Sequence, residues 1–285
     1  MIKVKRFLRV AFSFLPDDAY LYFRHFLTHF RIVRVRNPVT FNDYIIRSML
    51  ESPSSEKIIT GDKFSVRSYL EGKGLGKYLP EMFLSISAID EIDLSVLPSS
   101  FVMKGSHGSG MIAIYKDGDC VSRADVDKLC LKWLSTDYSR VARENTYKHM
   151  TPRVVFEELL RDPKSNAVPQ DYKFYVFKGV CRAIHVDAER FSNHRRSFFD
   201  KDWNYLPFWA QYPFAGPLEK PYNLTEMVSL AERLGKDFDF VRVDLYDLGD
   251  RVVFGEMTHF PDGGNVRFYP KVYDTWFGSF FKGAL

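Results

Sequence analysis

The stretch 101-FVMKGSHGSGMIAIYKDG-118 decides how this chain is read. A lysine is followed by three glycines, two serines and a histidine within six residues, and then by an apolar run. Such a loop can hold phosphate, and its flanks say in which kind of fold. A Walker A loop places Lys and Ser or Thr directly after its last glycine and opens a helix. Here Met111 and Ile112 follow Gly110. A dinucleotide fingerprint needs G-x-G-x-x-G opening a helix, whereas this spacing is G-x-x-G-x-G and a strand follows. What remains is a glycine hairpin between antiparallel strands, Phe101–Lys104 and Met111–Tyr115. Such a turn offers backbone N–H groups and small hydroxyls to phosphate oxygens, and Lys104 adds a point charge. A plain glycine-rich hairpin fits the same loop, so the decision passes to its surroundings.

Nucleotide phosphates bring a magnesium ion, which takes oxygen ligands. The segments 241-VRVDLY-246 and 252-VVFGEMTHF-260 read as two arms of a hairpin and carry Asp244 and Glu256 among apolar neighbours. An acid in an apolar strand is costly to bury unless a cation compensates it, and two such acids on paired arms can converge on one metal. The segment 154-VVFEELL-160 ends its apolar run in Glu157 and Glu158. These read either as a solvated strand end or as acceptors for an adenine amino group, with backbone just beyond facing the ring edge. In 189-ERFSNHRRSFFD-200, Arg190, His194, Arg195 and Arg196 crowd among phenylalanines, a composition suited to an anionic substrate. His107 sits in the glycine loop, where it either contacts phosphate or only shapes the turn.

The remaining features bound the class. At 285 residues and 46% hydrophobic, the chain is long enough for one large core or several lobes. Residues 1–36 hold eight Lys and Arg against two Asp, a net +6, which leaves −2 on the rest. A basic end of this kind favours an anionic partner or forms a solvated helix face. Three cysteines without metal spacing, and one of them necessarily unpaired, read as free thiols in a reducing compartment. The apolar start is interrupted by Arg9, lacks a small-x-small cleavage pattern and is too short to span a bilayer. The expected location is the cytoplasm, with the basic end at the inner face of the plasma membrane. Residues 1–50 read as helical, broken at Pro16 and Pro38; 52–57 as a loop; 62–74 as an N-capped helix; Asp125–Leu134 and Leu224–Phe238 as helices. Tyr172–Phe177 and Val180–Val186 read as a hairpin across Lys178-Gly179, and residues 188–222 as a long functional loop.

Taken in order, seven phrases carry a resemblance: NPVTFNDYI, GDKFSVRSYL, FVMKGSHGSGM, DYKFYVFKG, RFSNHRRSFFDKDWNYLPF, FVRVDLY and FGEMTHFPDGG. On them the chain resembles the TupA-like ATP-grasp family, named for teichuronopeptide biosynthesis. The resemblance implies an α+β fold in which two lobes with antiparallel sheets clasp ATP. A helical region (1–62) would precede a small lobe with the glycine hairpin (63–160) and a large lobe with the metal site and substrate loop (161–285). It also implies roles. Lys63 and Lys104 would hold ATP phosphates, with Ser106, His107, Gly108, Ser109 and Gly110 forming the lid over them. Glu157, with Glu158 beside it, would face the adenine amino group, Leu160 would give a backbone contact and Asp171 would reach the ribose. Asp244, Glu256 and Thr258 would hold Mg2+, Thr258 standing where the wider superfamily has asparagine. Arg242 would face the γ-phosphate, and Arg190, His194 and Arg196 would bind the acid substrate.

The function implied is an ATP-dependent carboxylate–amine ligase working through an acyl phosphate. It would join an amino acid to a sugar acid, such as a uronic acid, in capsular or other surface polysaccharide synthesis, with a lipid-linked glycan as a further substrate form and no nucleic-acid partner. Two other classes compete. One is a transferase of the same pathways, whether phosphotransferase or glycosyltransferase-like, for which the Asp-x-Asp strings at 117–119 and 200–202 are the only metal-type signals. The other is a non-catalytic nucleotide or sugar binder.

Overall fold

The computed structural model describes residue 12 and residues 14–163, 165–188 and 193–283, so the candidate Arg190 lies outside the described residues. After Pro16 the chain forms α1 (Asp17–His29) and α2 (Phe41–Leu50). α2 opens on a reciprocal cap. The Thr40 hydroxyl accepts from the Asp43 N–H at 3.2 Å, and the Asp43 carboxylate accepts from the Thr40 N–H at 3.1 Å. Two short helices follow, α3 (Ser55–Gly61) and α4 (Val66–Gly72). The first begins inside the expected 52–57 loop, because the Ser54 hydroxyl accepts from the Lys57 N–H and starts it.

The first sheet contains β1 (Met82–Ile86), β2 (Phe101–Gly105), β3 (Ile112–Tyr115) and β4 (Val154–Glu158) in the order β1-β4-β2-β3, all antiparallel. Helix α5 (Arg123–Leu134) covers one face with Val126, Cys130 and Trp133, against Phe101, Met103 and Phe156. α6 (Tyr138–Ala142) lies between α5 and β4 in the chain. The glycine loop is the β2–β3 turn, as its flanks require.

The second sheet contains β5 (Asp171–Phe177), β6 (Val180–Ala188), β7 (Arg195–Phe199), β9 (Val241–Asp247) and β10 (Val252–Thr258), in the order β10-β9-β5-β6-β7 and again antiparallel. The β5–β6 turn has Lys178 and Gly179 both at positive φ, the two-residue geometry that matches strand twist. The expected loop over 188–222 contains β7 and β8 (Trp209–Ala210), the latter paired with β11 (Phe268–Tyr269). β7 escapes a period-two reading because Ser197, Phe198 and Phe199 are all buried, whichever face they take.

One face of the second sheet is apolar. Phe174, Val176, Ile184, Val241, Val243 and Leu245 pack under α7 (Leu224–Gly235), which buries Met227, Leu230 and Leu234. Each fully buried Leu or Met contributes about 2 kcal/mol of transfer free energy. Residues from α4 and the turn after it, Val66, Leu70 and Leu75, join this core. The opposite face is divided. At one end Tyr175, Phe177 and Phe198 form an aromatic core with α2 and α8 (Val272–Ser279), centred on Phe41, Phe240 and Phe277. There α8 approaches the start of α2 so closely that a Cβ on Gly278 would lie 2.2 Å from the Val39 carbonyl oxygen. The rest of that face is charged.

Candidate functional site

The charged face follows from strand register. Glu256 pairs with Asp244, Asp244 with Lys173, and Lys173 with His185, so four strands contribute one cross-sheet row of acid, acid, base and imidazole. Strict alternation along β10 would put Glu256 on the same side as Phe254, in the apolar core. The register slips between Phe254 and Glu256, leaving Gly255 as an extra residue. That bulge turns Glu256 and Thr258 to the charged side and returns Met257 to the core. Glycine relieves a tight approach there, since a Cβ would stand 3.0 Å from both the Asp244 carbonyl oxygen and the Tyr246 ring. A glycine inside an otherwise apolar strand is the sequence signal for this feature.

Arg242 sits at the centre. Its Nε donates to Asp244 Oδ1 and its Nη2 to Asp244 Oδ2, both at 2.7 Å. The same Nη2 reaches Glu256 Oε1 at 3.2 Å and Thr258 Oγ1 at 3.0 Å. Lys173, buried in the middle strand, donates to Asp244 Oδ2 at 2.7 Å and to Asp171. Burial pushes the Asp244 carboxyl upward, against the pull of Arg242 and Lys173. Glu256 behaves differently. Burial raises it too, but Lys63 and Arg242 outweigh that and hold it at about 2. Its side chain keeps 39% exposure, so water screens part of this field.

The glycine hairpin joins this cluster through one side chain. Lys63 Nζ donates to the Gly108 carbonyl at 2.8 Å and lies 3.8 Å from Glu256 Oε2, while its backbone N–H donates to the Ser106 carbonyl at 3.2 Å. The neighbouring Asp62 fixes the loop from below. Its Oδ2 accepts from the Ser106 hydroxyl at 2.8 Å, and its Oδ1 accepts from the N–H groups of Phe64 and Ser65. Ser106, His107 and Gly108 are buried, while Ser109 and Gly110 form the exposed tip. His107 makes its ring contact with the Trp133 carbonyl at 3.0 Å, and burial lowers its pKa. It therefore anchors the loop to the end of α5 as a neutral ring.

On the first sheet Lys104 Nζ donates to Glu157 Oε2 at 2.7 Å, and Arg67 of α4 lies 3.5 Å from Glu157 Oε1. Arg67 also donates to the Pro80 carbonyl at 2.9 Å. Glu158 points elsewhere, accepting from the Glu81 N–H and from Arg251 at 2.7 Å. Leu160 lies two residues beyond β4. Lys63 and Arg67, four residues apart around the start of α4, thus reach Glu256 of the second sheet at 3.8 Å and Glu157 of the first at 3.5 Å.

The His194 and Arg196 side chains converge on an acid of the same chain. Asp187 Oδ1 lies 2.7 Å from Arg196 Nε, 2.9 Å from His194 Nε2 and 3.0 Å from His185 Nε2. Burial alone would raise Asp187, but His185 and Arg196 hold it far below the usual carboxylate range. His194 also stacks on Tyr212, with ring centroids 3.6 Å apart. Lys173, Arg67 and Asp187 are the site residues that sequence reasoning missed. Lys173 had a signal, a lysine inside the apolar strand 171-DYKFYVF-177. Arg67 and Asp187 had none beyond their charge.

The oxygen donors suit a magnesium ion. Among the described residues no group of three or more His, Cys, Asp or Glu is gathered as a metal cage. Magnesium, however, is commonly held through one or two carboxylates and completed by substrate phosphates. Asp244 and Glu256, directly paired across β9 and β10 and already balanced by three cations, match that pattern, with the Thr258 hydroxyl 3.2 Å from Glu256.

A family model described as TupA-like ATPgrasp matches residues 45–282. Among curated proteins nothing matches the chain. Among solved structures, D-alanine–D-alanine ligase from Bacillus anthracis complexed with ATP is similar at 15% identity and a TM-score of 0.46, over 73% of this chain and 57% of that one. Another structure of that ligase is similar at 17% identity and a TM-score of 0.48, over 81% and 67%. The ATP-grasp ligase PsnB, complexed with minimal precursor, is similar at 13% identity and a TM-score of 0.39, over 72% and 52%. The chain therefore spans little more than half the length of the first of these.

Proposed function

The chain belongs to the TupA-like ATP-grasp family, and from that membership and the cleft we propose that it is an ATP-dependent carboxylate–amine ligase. The observation that carries the reading is Lys63, which links the glycine hairpin at Gly108 to Glu256 on the second sheet. A phosphate chain lying between hairpin and sheet would meet Lys63, Lys104 and the backbone of Ser106–Gly110 on one side, and Arg242 on the other. Adenine would lie at Glu157 and Leu160, and the ribose near Asp171. Asp244, Glu256 and Thr258 would hold Mg2+, which when bound supplies neutralisation of phosphate charge.

In the reaction, a substrate carboxylate oxygen attacks the γ-phosphorus and the bond to the β-bridging oxygen breaks, giving an acyl phosphate and ADP. An amine then attacks the acyl carbon, phosphate leaves with that oxygen, and the amine loses a proton. Little covalent work falls to the protein. Lys63, Lys104 and Arg242 stabilise charge on the transferring group, and closure of the Ser109–Gly110 tip excludes water from the acyl phosphate. Lys104 exchanges Glu157 for a phosphate oxygen, one anion for another. A sugar acid as carboxylate and an amino acid as amine, in surface polysaccharide synthesis, is the substrate pair that the family's naming supports.

The test uses the candidate acid labelled with 18O in its carboxylate. We expect ADP release to require both acid and amine, and one 18O per turnover to appear in phosphate. Lys104→Ala and Glu256→Gln should each lower turnover by about 10²–10³-fold with the circular dichroism spectrum unchanged. Phosphate without label, or wild-type turnover in either variant, overturns the mechanism or the site.

A further inference from the structure

A hollow separate from the cleft lies at the end of the second sheet, where α2, α3 and the turn after α8 meet. Its volume is about 190 Å³. Ile45, Phe240 and the rings of Tyr44 and Phe281 form its apolar wall, the two rings stacked with centroids 4.2 Å apart. Ser48 of α2 and Lys57 of α3 supply its polar side.

Lys57 is the residue that folding does not explain. Its Nζ donates to the Ser48 hydroxyl at 2.8 Å, and among the described residues it has no ion pair. The side chain is half-buried, and burial lowers its pKa against the upward pull of Asp239 and Glu51. A lysine that needs only water carries its ammonium outward along its stem. Lys57 instead holds it against a neutral hydroxyl in the wall of a hollow. The other polar groups of that wall are accounted for. Arg47 donates to Glu51 at 2.7 Å, and both are exposed at the rim. Asp239 is exposed and lies 4.0 Å from Lys178. Burial first, and then the charge of Lys57, hold His259 at about 3, so its ring is neutral near pH 7. Its Nε2 meets the Thr60 hydroxyl at 2.8 Å.

One uncompensated cation beside an apolar wall is complementary to one anionic group on an apolar body. A carboxylate gives Lys57 a charge-assisted partner and removes the cost of a half-buried charge without a counter-ion. Size limits the body. A cavity of about 150 Å³ accepts benzene, so this hollow admits a single ring or a branched chain and is too small for a nucleotide. Charge limits the head, because Glu51 and Asp239 repel a phosphate dianion more strongly than a monoanion. The hollow adjoins the cleft through the chain itself. α3 ends at Gly61 and passes directly to Asp62 and Lys63, and His259 follows Thr258 at the end of β10. An occupant therefore rests on the segments that deliver Lys63 and Thr258.

We propose that the hollow around Lys57 is a binding site for a small monocarboxylate with a compact apolar body, distinct from the ATP cleft. The experiment titrates the full chain with benzoate by calorimetry in the absence of ATP, with benzamide and acetate as controls. Benzoate is expected to bind saturably in a one-to-one complex. Benzamide lacks the charge and acetate lacks the body, and each should bind weaker by about tenfold or more. Lys57→Met keeps the stem and removes the cation. It should melt no lower than wild type, since it takes away an uncompensated charge, and should lose about tenfold or more in benzoate affinity. Lys63→Met, in the cleft, should bind benzoate as wild type does. No saturable binding of benzoate up to about 10 mM, undiminished binding by Lys57→Met, or benzamide binding as well as benzoate overturns the proposal. So does loss of benzoate binding in Lys63→Met with Lys57→Met unaffected, which would give the carboxylate to the cleft.

Discussion

Replacing Lys173 by methionine tests the electrostatic design of the charged face directly. Its ammonium lies 2.7 Å from Asp244 Oδ2 and also serves Asp171, and all three side chains are almost fully buried. At an effective dielectric of about 20, a unit pair at that distance interacts by about 6 kcal/mol, from which the desolvation of both ions must be subtracted. Removing one partner of a buried pair costs about 3–5 kcal/mol because the other is stranded. Arg242 still grips Asp244 through two bonds, so the lower end applies, about 3 kcal/mol. That is a fall in melting temperature of about 6–12 °C for a chain of this size. The pH dependence has a definite sign. Burial already pushes the Asp244 carboxyl upward against the pull of Arg242 and Lys173, so removing Lys173 leaves its folded-state pKa further above the unfolded value of about 3.9. A raised carboxylate pKa makes the folded state relatively more stable where the group is protonated. The deficit is therefore largest near neutral pH and shrinks as pH falls through the raised Asp244 pKa. Thermal melts of wild type and Lys173→Met across that range provide the assay. A variant that melts with wild type near pH 7, or a deficit independent of pH, would falsify the assignment of Lys173 as the internal counter-ion.

Two further outcomes follow from local geometry. Gly255→Val places a branched side chain where even a Cβ meets the Asp244 carbonyl oxygen at 3.0 Å. It should cost about 1–3 kcal/mol and abolish ATP turnover by displacing Glu256, whereas retained turnover with normal melting would remove the bulge from the site's construction. Of the three thiols only Cys120 is exposed. Burial pushes Cys130 to about 11 and raises Cys181 as well. A chromogenic disulfide reagent should therefore titrate one thiol in the native protein and three after denaturation. Rapid native labelling of Cys181 would contradict the packing of β6 under α7.

The sequence was most legible where a residue's chemistry conflicted with its local pattern. A lysine ending an apolar strand at 104, and acids within apolar strands at 157, 244 and 256, each carry a cost that only a partner removes. The β2–β3 and β9–β10 hairpins were legible for a different reason, because glycine-containing turns separate their apolar runs. What escaped were features that depend on register and on distant pairing. The bulge at Gly255 reverses which face Glu256 occupies, and period-two reading cannot see a one-residue slip. The span 188–222 read as a loop because β7 is buried without alternation. With β7 unseen, its pairing to β6 was unseen too, and Arg196 passed for an unengaged guanidinium when Asp187 stands opposite it in register. Arg67 was hidden more completely, since an arginine on a short helix gives no sign that Glu157 of another element lies at its tip.

These misses share a consequence for how the cleft works. Every acid assigned to metal or adenine already has a cation on it: Arg242 and Lys173 on Asp244, Lys63 and Arg242 on Glu256, Lys104 and Arg67 on Glu157. A ligand that brings both phosphate and a divalent cation can enter such a network by exchange, its anion taking the lysines and arginine and its cation taking the acids. Either ion alone leaves one half of each broken pair stranded in a poorly solvated cleft, at the cost attached to uncompensated charge. Nucleotide and metal should therefore bind with positive coupling, and by linkage each must raise the affinity of the other by the same factor. On the proposed reading, the charge pairs of this face are thus the same pairs that would favour a metal–phosphate complex over either component.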